Sequence, residues 1–156
     1  MSENRPLVII ISGSESDSEF VKATEEYLAH FQIPYESKVI SAHRNPEQLV
    51  DYVAGARNNG IKCIIAQAGM AAHLAGVVAA HTTLPVIGVP LPGSHLNGID
   101  SLYSTVQMPA GIPVATMAIG KAGARNAAVL AAEMLSVEDE AILSRLEEFR
   151  ANGAKL

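Results

Sequence analysis

Short apolar strands alternate with amphipathic helices along the chain, and this predicts an α/β fold, a three-layer α/β/α sandwich with a central parallel sheet. Two further observations support it. Leu7-Val8-Ile9-Ile10-Ile11 is apolar at every position, as expected of a strand covered on both faces. Gly, Pro, Asn or Ser clusters punctuate the junctions between strand-like and helix-like stretches.

The first strand, Leu7 to Ser12, runs into Gly13-Ser14-Glu15-Ser16-Asp17-Ser18. Ser14 or Ser16 suits the cap of the next helix, with Asp17 near its positive end. That helix extends to about Phe31, with Phe20, Ala23 or Thr24, Tyr27, Leu28 and Phe31 at helical spacing, and Ile33-Pro34 breaks it. The second strand, Tyr35 to Ile40, alternates, which places it near an edge, and it ends in Ser41-Ala42-His43-Arg44. Asn45-Pro46-Glu47-Gln48 reads as a capping box opening a helix that stops near Asn58-Asn59-Gly60.

The third strand, Lys62 to Ala66, leads through the small-residue stretch Gln67 to Gly76 into a helix that ends before Leu84-Pro85. The fourth, Val86 to Val89, is followed by a loop through Ser94-His95-Leu96-Asn97-Gly98 and a helix near Ile99 to Val106. Pro113 to Ala118 is read as the fifth strand. The helix Ala124 to Leu135 is apolar nearly all round and needs cover from its own domain or from a neighbouring subunit. Ser136-Val137-Glu138-Asp139 caps a last helix with Ile142, Leu143, Leu146 and Phe149 inward. No linker, repeat or low-complexity tract interrupts residues 1–156, so one domain of flavodoxin-like shape is expected.

Composition narrows the function. Apolar residues make up 49% and charged residues only 17%, a low charge content for an isolated monomer, so a homo-oligomer is expected. Net charge is -5, without a basic run and with no Trp, which excludes nucleic-acid binding and leaves a small molecule as the partner. No apolar run is long enough for a membrane span, and Met1 to Pro6 does not begin a signal peptide, so a cytoplasmic protein is expected. The lone Cys63, in an apolar strand, reads as a small buried hydrophobe.

Several motifs fail. No G-x-G-x-x-G follows the first strand. Gly120-Lys121 resembles the end of a P-loop, but Ala115 and Ala122 occupy the positions of its Gly and Ser/Thr. There is no H-E-x-x-H and no cysteine pair, so no metal site is expected. Gln67 lies near the turn where a phospho-receiver domain needs Asp.

In an open parallel sheet, ligands bind beyond the carboxyl ends of the strands. Ser14, Ser16 and Asp17 then lie beside Ser41, His43 and Arg44. Hydroxyls and free N–H groups at a helix start suit phosphate, and a carboxylate suits ribose hydroxyls. The Arg fork fits phosphate oxygens, and imidazole is suited to moving protons near neutral pH. Among the five histidines, His73 follows the third strand and faces the same edge. His30 and His81 read as helix-end residues, and His95 as part of a turn or a lid.

Gly13-Ser14-Glu15-Ser16-Asp17, Ser41-Ala42-His43-Arg44, the stretch Ala68-Gly69 with Ala71-Ala72-His73-Leu74, and Asp100 to Ser104 with Val106 to Pro109 and Gly111 to Ala115 together resemble one family in its own order. That family is the N5-carboxyaminoimidazole ribonucleotide mutases of de novo purine synthesis, also called the catalytic subunit of phosphoribosylaminoimidazole carboxylase. The resemblance implies a homo-octamer with active sites near subunit boundaries, and a reaction without metal, ATP or biotin. It implies that Ser14, Asp17, Ser41 and Arg44 hold the ribose phosphate and that Gly69 and its neighbours, with Leu74, line a small pocket for CO2. It further implies that His73 bonds a carboxylate and that His43 serves as acid and then base. Arg44, rather than Lys, and the A-A-H-L stretch resemble the mutase branch and not the sister branch that uses free CO2. Met70 and Gln67 stand where the family has Gly, Ala75 where it has Pro and Ser18 where it has Trp, and Gly93-Ser94-His95 departs from its usual loop. A Met beside Gly69 is expected to narrow the turn that approaches the substrate. Rival readings are a carboxylase of another nucleotide, such as a pyridine nucleotide, and a nucleotide- or flavin-phosphate-binding module, which leaves His43 without a role.

Overall fold

The structure, a computed structural model, describes residues 5–156. Five strands form one parallel sheet in the order β2-β1-β3-β4-β5: β1 is Val8–Ser12, β2 Tyr35–Val39, β3 Cys63–Gly69, β4 Val86–Leu91 and β5 Ala115–Thr116. Six α-helices connect and cover them: α1 (Ser18–His30), α2 (Pro46–Ala56), α3 (Leu74–Ala80), α4 (Ile99–Val106), α5 (Lys121–Ser136) and α6 (Glu140–Ala151). A short 3-10 turn, Glu15–Asp17, precedes α1.

The period of two along each strand divides the core in two. Val8, Ile10, Ile65, Ile87 and Val89 face α1, α5 and α6, while Ile9, Ile11, Ile64 and Val86 pack with Leu49, Val53, Leu74 and Val78 of α2 and α3. The edge position expected for the second strand is observed: β2 pairs only with β1 and is partly exposed along its length. Its Glu36 and Lys38 form an ion pair at 3.0 Å on the outer part of the sheet. The apolar fifth helix finds its cover within the chain. Ala124, Ala127, Ala128, Ala131 and Ala132 are fully buried, and Phe149 of α6 packs edge-on against Tyr27 and Phe31.

Several boundaries differ from the sequence reading, each for a physical reason. The third strand runs past Ala66 to Gly69 because Ala68 and Gly69 continue the ladder beside Pro90 and Leu91. The fifth strand shrinks to Ala115–Thr116, since it has β4 alone as a neighbour and Pro113 offers no N–H. α5 starts at Lys121 rather than Ala124, after Gly120 at φ 79°. This early start depends on Gly123, where a Cβ would lie 1.7 Å from the Ala118 carbonyl oxygen. Asn45 makes no side-chain cap; the turn before α2 is tied to Ser41, whose Oγ accepts from the Arg44 N–H at 3.2 Å and whose carbonyl accepts from the Asn45 N–H at 2.9 Å. Ser136 belongs to α5, and Asp139 alone caps α6 through Oδ1, which accepts from the N–H groups of Ala141 and Ile142.

Candidate active site

The carboxyl ends of β2, β1 and β3 lie side by side, and their loops enclose a cavity of about 270 Å³. Ser14 and Asp17 line it from the turn after β1, Ser41, His43 and Arg44 from the turn after β2, and Gly69, His73 and Leu74 from the end of β3 and the start of α3. Eight residues picked out from three separate stretches thus border one space. An adjoining open groove of about 580 Å³ shares Ser14, Ser41, His43, Arg44 and Gly69. Cavity and groove together fall within the range of small-molecule sites, roughly 300–1,000 Å³.

Local chemistry fixes each wall. Ser14 Oγ accepts from the Ser16 N–H at 3.3 Å and from the Ser16 hydroxyl at 2.9 Å, which braces the 3-10 turn. The Asp17 carboxyl is half-buried, and burial raises its pKa above 3.8 despite hydrogen bonds from the backbone of Ser14 and Gly13. A Cβ on Gly13 would sit 3.6 Å from Ala68 Cβ and 3.9 Å from Asp17 Oδ2, so the floor there is already close. Gly69 is tighter: a Cβ would lie 3.3 Å from the Leu91 carbonyl oxygen. That same oxygen accepts from the Ser101 hydroxyl at 2.8 Å, so the end of β4 is held from α4.

His43 Nε2 and His73 Nδ1 are 2.7 Å apart, with the rings edge-to-face at 4.9 Å. Sequence reasoning brought both histidines to one edge but gave no sign of this bond, which forms between the turns that leave β2 and β3 on either side of β1. One ring must donate and the other accept, so the pair fixes the orientation of both.

Of the two departures beside Gly69, only Met70 reaches the cavity. Its backbone is left-handed, φ 55°, which costs a non-glycine residue about 1–2 kcal/mol. Gln67 points the other way: fully buried, its amide donates to Thr24 Oγ1, which in turn donates to the Ala124 carbonyl at 2.9 Å. Sequence reasoning also left out Gly13, Ala42, Pro92 and Gly93 as lining residues, because small or apolar residues carry no chemical signal. His95 does not line the cavity, His81 Nδ1 lies 2.9 Å from the Val77 carbonyl at its helix end, and the His30 ring packs edge-on to Phe31 and tilted against Phe149. Cys63 is buried, and desolvation pushes its thiol up to about 12.

A family model described as AIR carboxylase matches residues 7–155. The chain belongs to the AIR carboxylase family. Among its relatives in this family, a Bacillus subtilis protein named N5-carboxyaminoimidazole ribonucleotide mutase is 57% identical over 148 residues, which is 95% of this chain and 91% of the relative. A protein of the same name from Saccharolobus solfataricus is 51% identical over 92% of this chain and 90% of its own length. A crystal structure of Treponema denticola PurE superposes with a TM-score of 0.87 at 32% identity, covering 96% of this chain and 92% of that one. No helix among the described residues of this AIR carboxylase family member is long and apolar enough to cross a membrane.

Proposed function

We propose that the chain converts N5-carboxyaminoimidazole ribonucleotide to 4-carboxy-5-aminoimidazole ribonucleotide in de novo purine (IMP) biosynthesis, as an intramolecular carboxylate-transferring isomerase. The observation that carries this is the convergence of an imidazole pair, a guanidinium and a hydroxyl-rich helix start on one small cavity, in a chain whose relatives bear the mutase name. Ser14, Asp17, Ser41 and Arg44 hold the ribose phosphate, and this remote binding keeps the imidazole ring of the substrate in place. The carbamate N–C bond breaks, CO2 leaves, and His43 protonates the departing nitrogen. CO2 stays near Gly69 and Leu74 until the C4 carbon attacks it, and the neutral His43 then takes the C4 proton. His73 holds the His43 ring and reaches the carboxylate. The reaction is a net isomerisation, so protons and electrons balance without a cofactor.

The enzyme is proposed to act as a homo-octamer in the cytoplasm, with residues 1–156 forming one domain and α6 also meeting neighbouring subunits. The low charge content supports assembly, as does an exposed apolar stripe on α4 formed by Ile99, Tyr103 and Val106 at helical spacing. The deciding experiment compares the carbamate with aminoimidazole ribonucleotide plus bicarbonate as substrates. Rapid conversion of the carbamate without ATP, and little from the second pair, is the expected result. The opposite preference assigns the chain to the branch that uses free CO2.

A further inference from the structure

We propose that Gln67 is a positioning residue: its buried side chain clamps the end of β3, so that the left-handed turn at Met70 holds and His73 stays seated against His43. The effect on turnover rests on the mutase reading above; the clamp itself does not. Met70 lies between the end of β3 and the start of α3 at φ 55°, a backbone that glycine adopts without strain and methionine does not. Such a residue, unless held, relaxes toward negative φ and carries its neighbours with it. His73 follows three residues on, and its 2.7 Å bond to His43 tolerates little drift of that backbone.

The ladder gives this turn little support. β1 ends at Ser12, opposite Gln67, so Ala68 and Gly69 pair with β4 alone. There Ala68 lies opposite Pro90, which has no N–H to give. The hydrogen bonds of the turn itself are local: the Ala72 N–H donates to the Met70 carbonyl at 2.9 Å, and the His73 N–H to the Ala71 carbonyl at 2.8 Å. Gln67 is the last residue of β3 with a strand on both sides, and more than the ladder holds it. Its carbonyl accepts from the Gly13 N–H at 3.1 Å. Its side-chain amide donates to Thr24 Oγ1 on α1, and the Thr24 hydroxyl donates to the Ala124 carbonyl on α5 at 2.9 Å. Gln67 and Thr24 are both 0% exposed in the single chain, so contacts between copies leave the clamp untouched.

Stability alone does not account for an amide at this place. Gln67 Oε1 is buried with no hydrogen-bond partner among the described residues, a desolvation cost that an apolar side chain of the same size would not carry. A chain with Gly at both positions has no left-handed strain to hold and needs no clamp. Here both positions depart from Gly together, Gln at one and Met at the other.

The test is a double-mutant cycle with two readouts. Gln67→Met keeps the volume and loses the amide. Hydrogen exchange at Ala72 and His73, followed by mass spectrometry, reports on the turn without reference to any reaction. Exchange there is expected to quicken several-fold in Gln67→Met, and to differ by less than about twofold between Met70→Gly and the double variant. With the carbamate as substrate, Gln67→Met is expected to lower kcat several-fold at near-parental KM, whereas the same change made in Met70→Gly costs less than about twofold. Thr24→Val, which breaks the clamp from the other side, is expected to follow Gln67→Met in both readouts and carries the test if Gln67→Met does not fold. Parental exchange at the turn in a folded clamp variant overturns the proposal. So does a parental kcat despite faster exchange, or a loss of kcat that is the same size with methionine and with glycine at position 70. A parent that leaves the carbamate unconverted, while exchange responds as expected, removes the mutase reading and leaves the clamp standing.

Discussion

His43 and His73 share one hydrogen across 2.7 Å, and this leaves the other nitrogen of each ring outside the bond. Replacing the proposed acid and base should separate binding from chemistry. His43→Asn is expected to bind the ribonucleotide with near-parental affinity and to lose roughly 10²–10⁴-fold in kcat, read by steady-state kinetics alongside calorimetric binding. Asp17 shows the opposite relation, a site residue that costs stability. Burial raises its folded pKa above 3.8, so the stability tied to its protonated form is present at low pH and lost as pH rises through the folded value. Asp17→Asn is therefore expected to melt at higher temperature than the parent at pH 7, with the gap closing as pH falls below 3.8, while substrate affinity drops. Thermal melts across pH with and without ligand measure both. The chemically distinctive side chains of this site were legible from their types and from the strand ends they follow. The bond between the two histidines was not, because it depends on how two strands separated by a third are aligned.

At the level of elements, the strands that are apolar on both faces announced themselves, and so did the edge strand. What stayed hidden were places where a contact distant in sequence overrides a local signal. Gln67, Ala68 and Gly69 do not read as strand, yet they extend β3 because the neighbouring ladder and the Thr24–Gln67 bond accept them. Asn45 is a good cap by type, but Ser41 already holds that turn. The start of α5 is the most exacting junction, since Gly123 lies against the Ala118 carbonyl. Gly123→Ala is expected to destabilise the fold by about 3 kcal/mol, measured by urea unfolding, because backbone and not a flexible side chain must give way. An exposed alanine change such as Ser144→Ala on α6 should change stability by less than about 0.5 kcal/mol and serves as the control.

For the whole molecule, the proposed octamer needs a surface through which copies meet. Ile99, Tyr103 and Val106 project an apolar stripe whose members are 44–64% exposed in one chain. Tyr103→Glu places a charge in the middle of that stripe and is expected to lower the mass seen by light scattering from that of the proposed octamer to smaller species, with each chain still folded by circular dichroism. An octamer that survives this change unaltered places the contact elsewhere. The margins of the sheet bear on the same matter. One ends in a strand carrying the Glu36–Lys38 pair, the other in a two-residue strand. Neither offers a long bare ladder to a stranger, so association through main-chain zippering, the route to open-ended fibrils, is discouraged at both borders. In the proposed octamer, copies are then left to meet through their helical flanks, where a symmetric contact closes on itself and stops at a finite number.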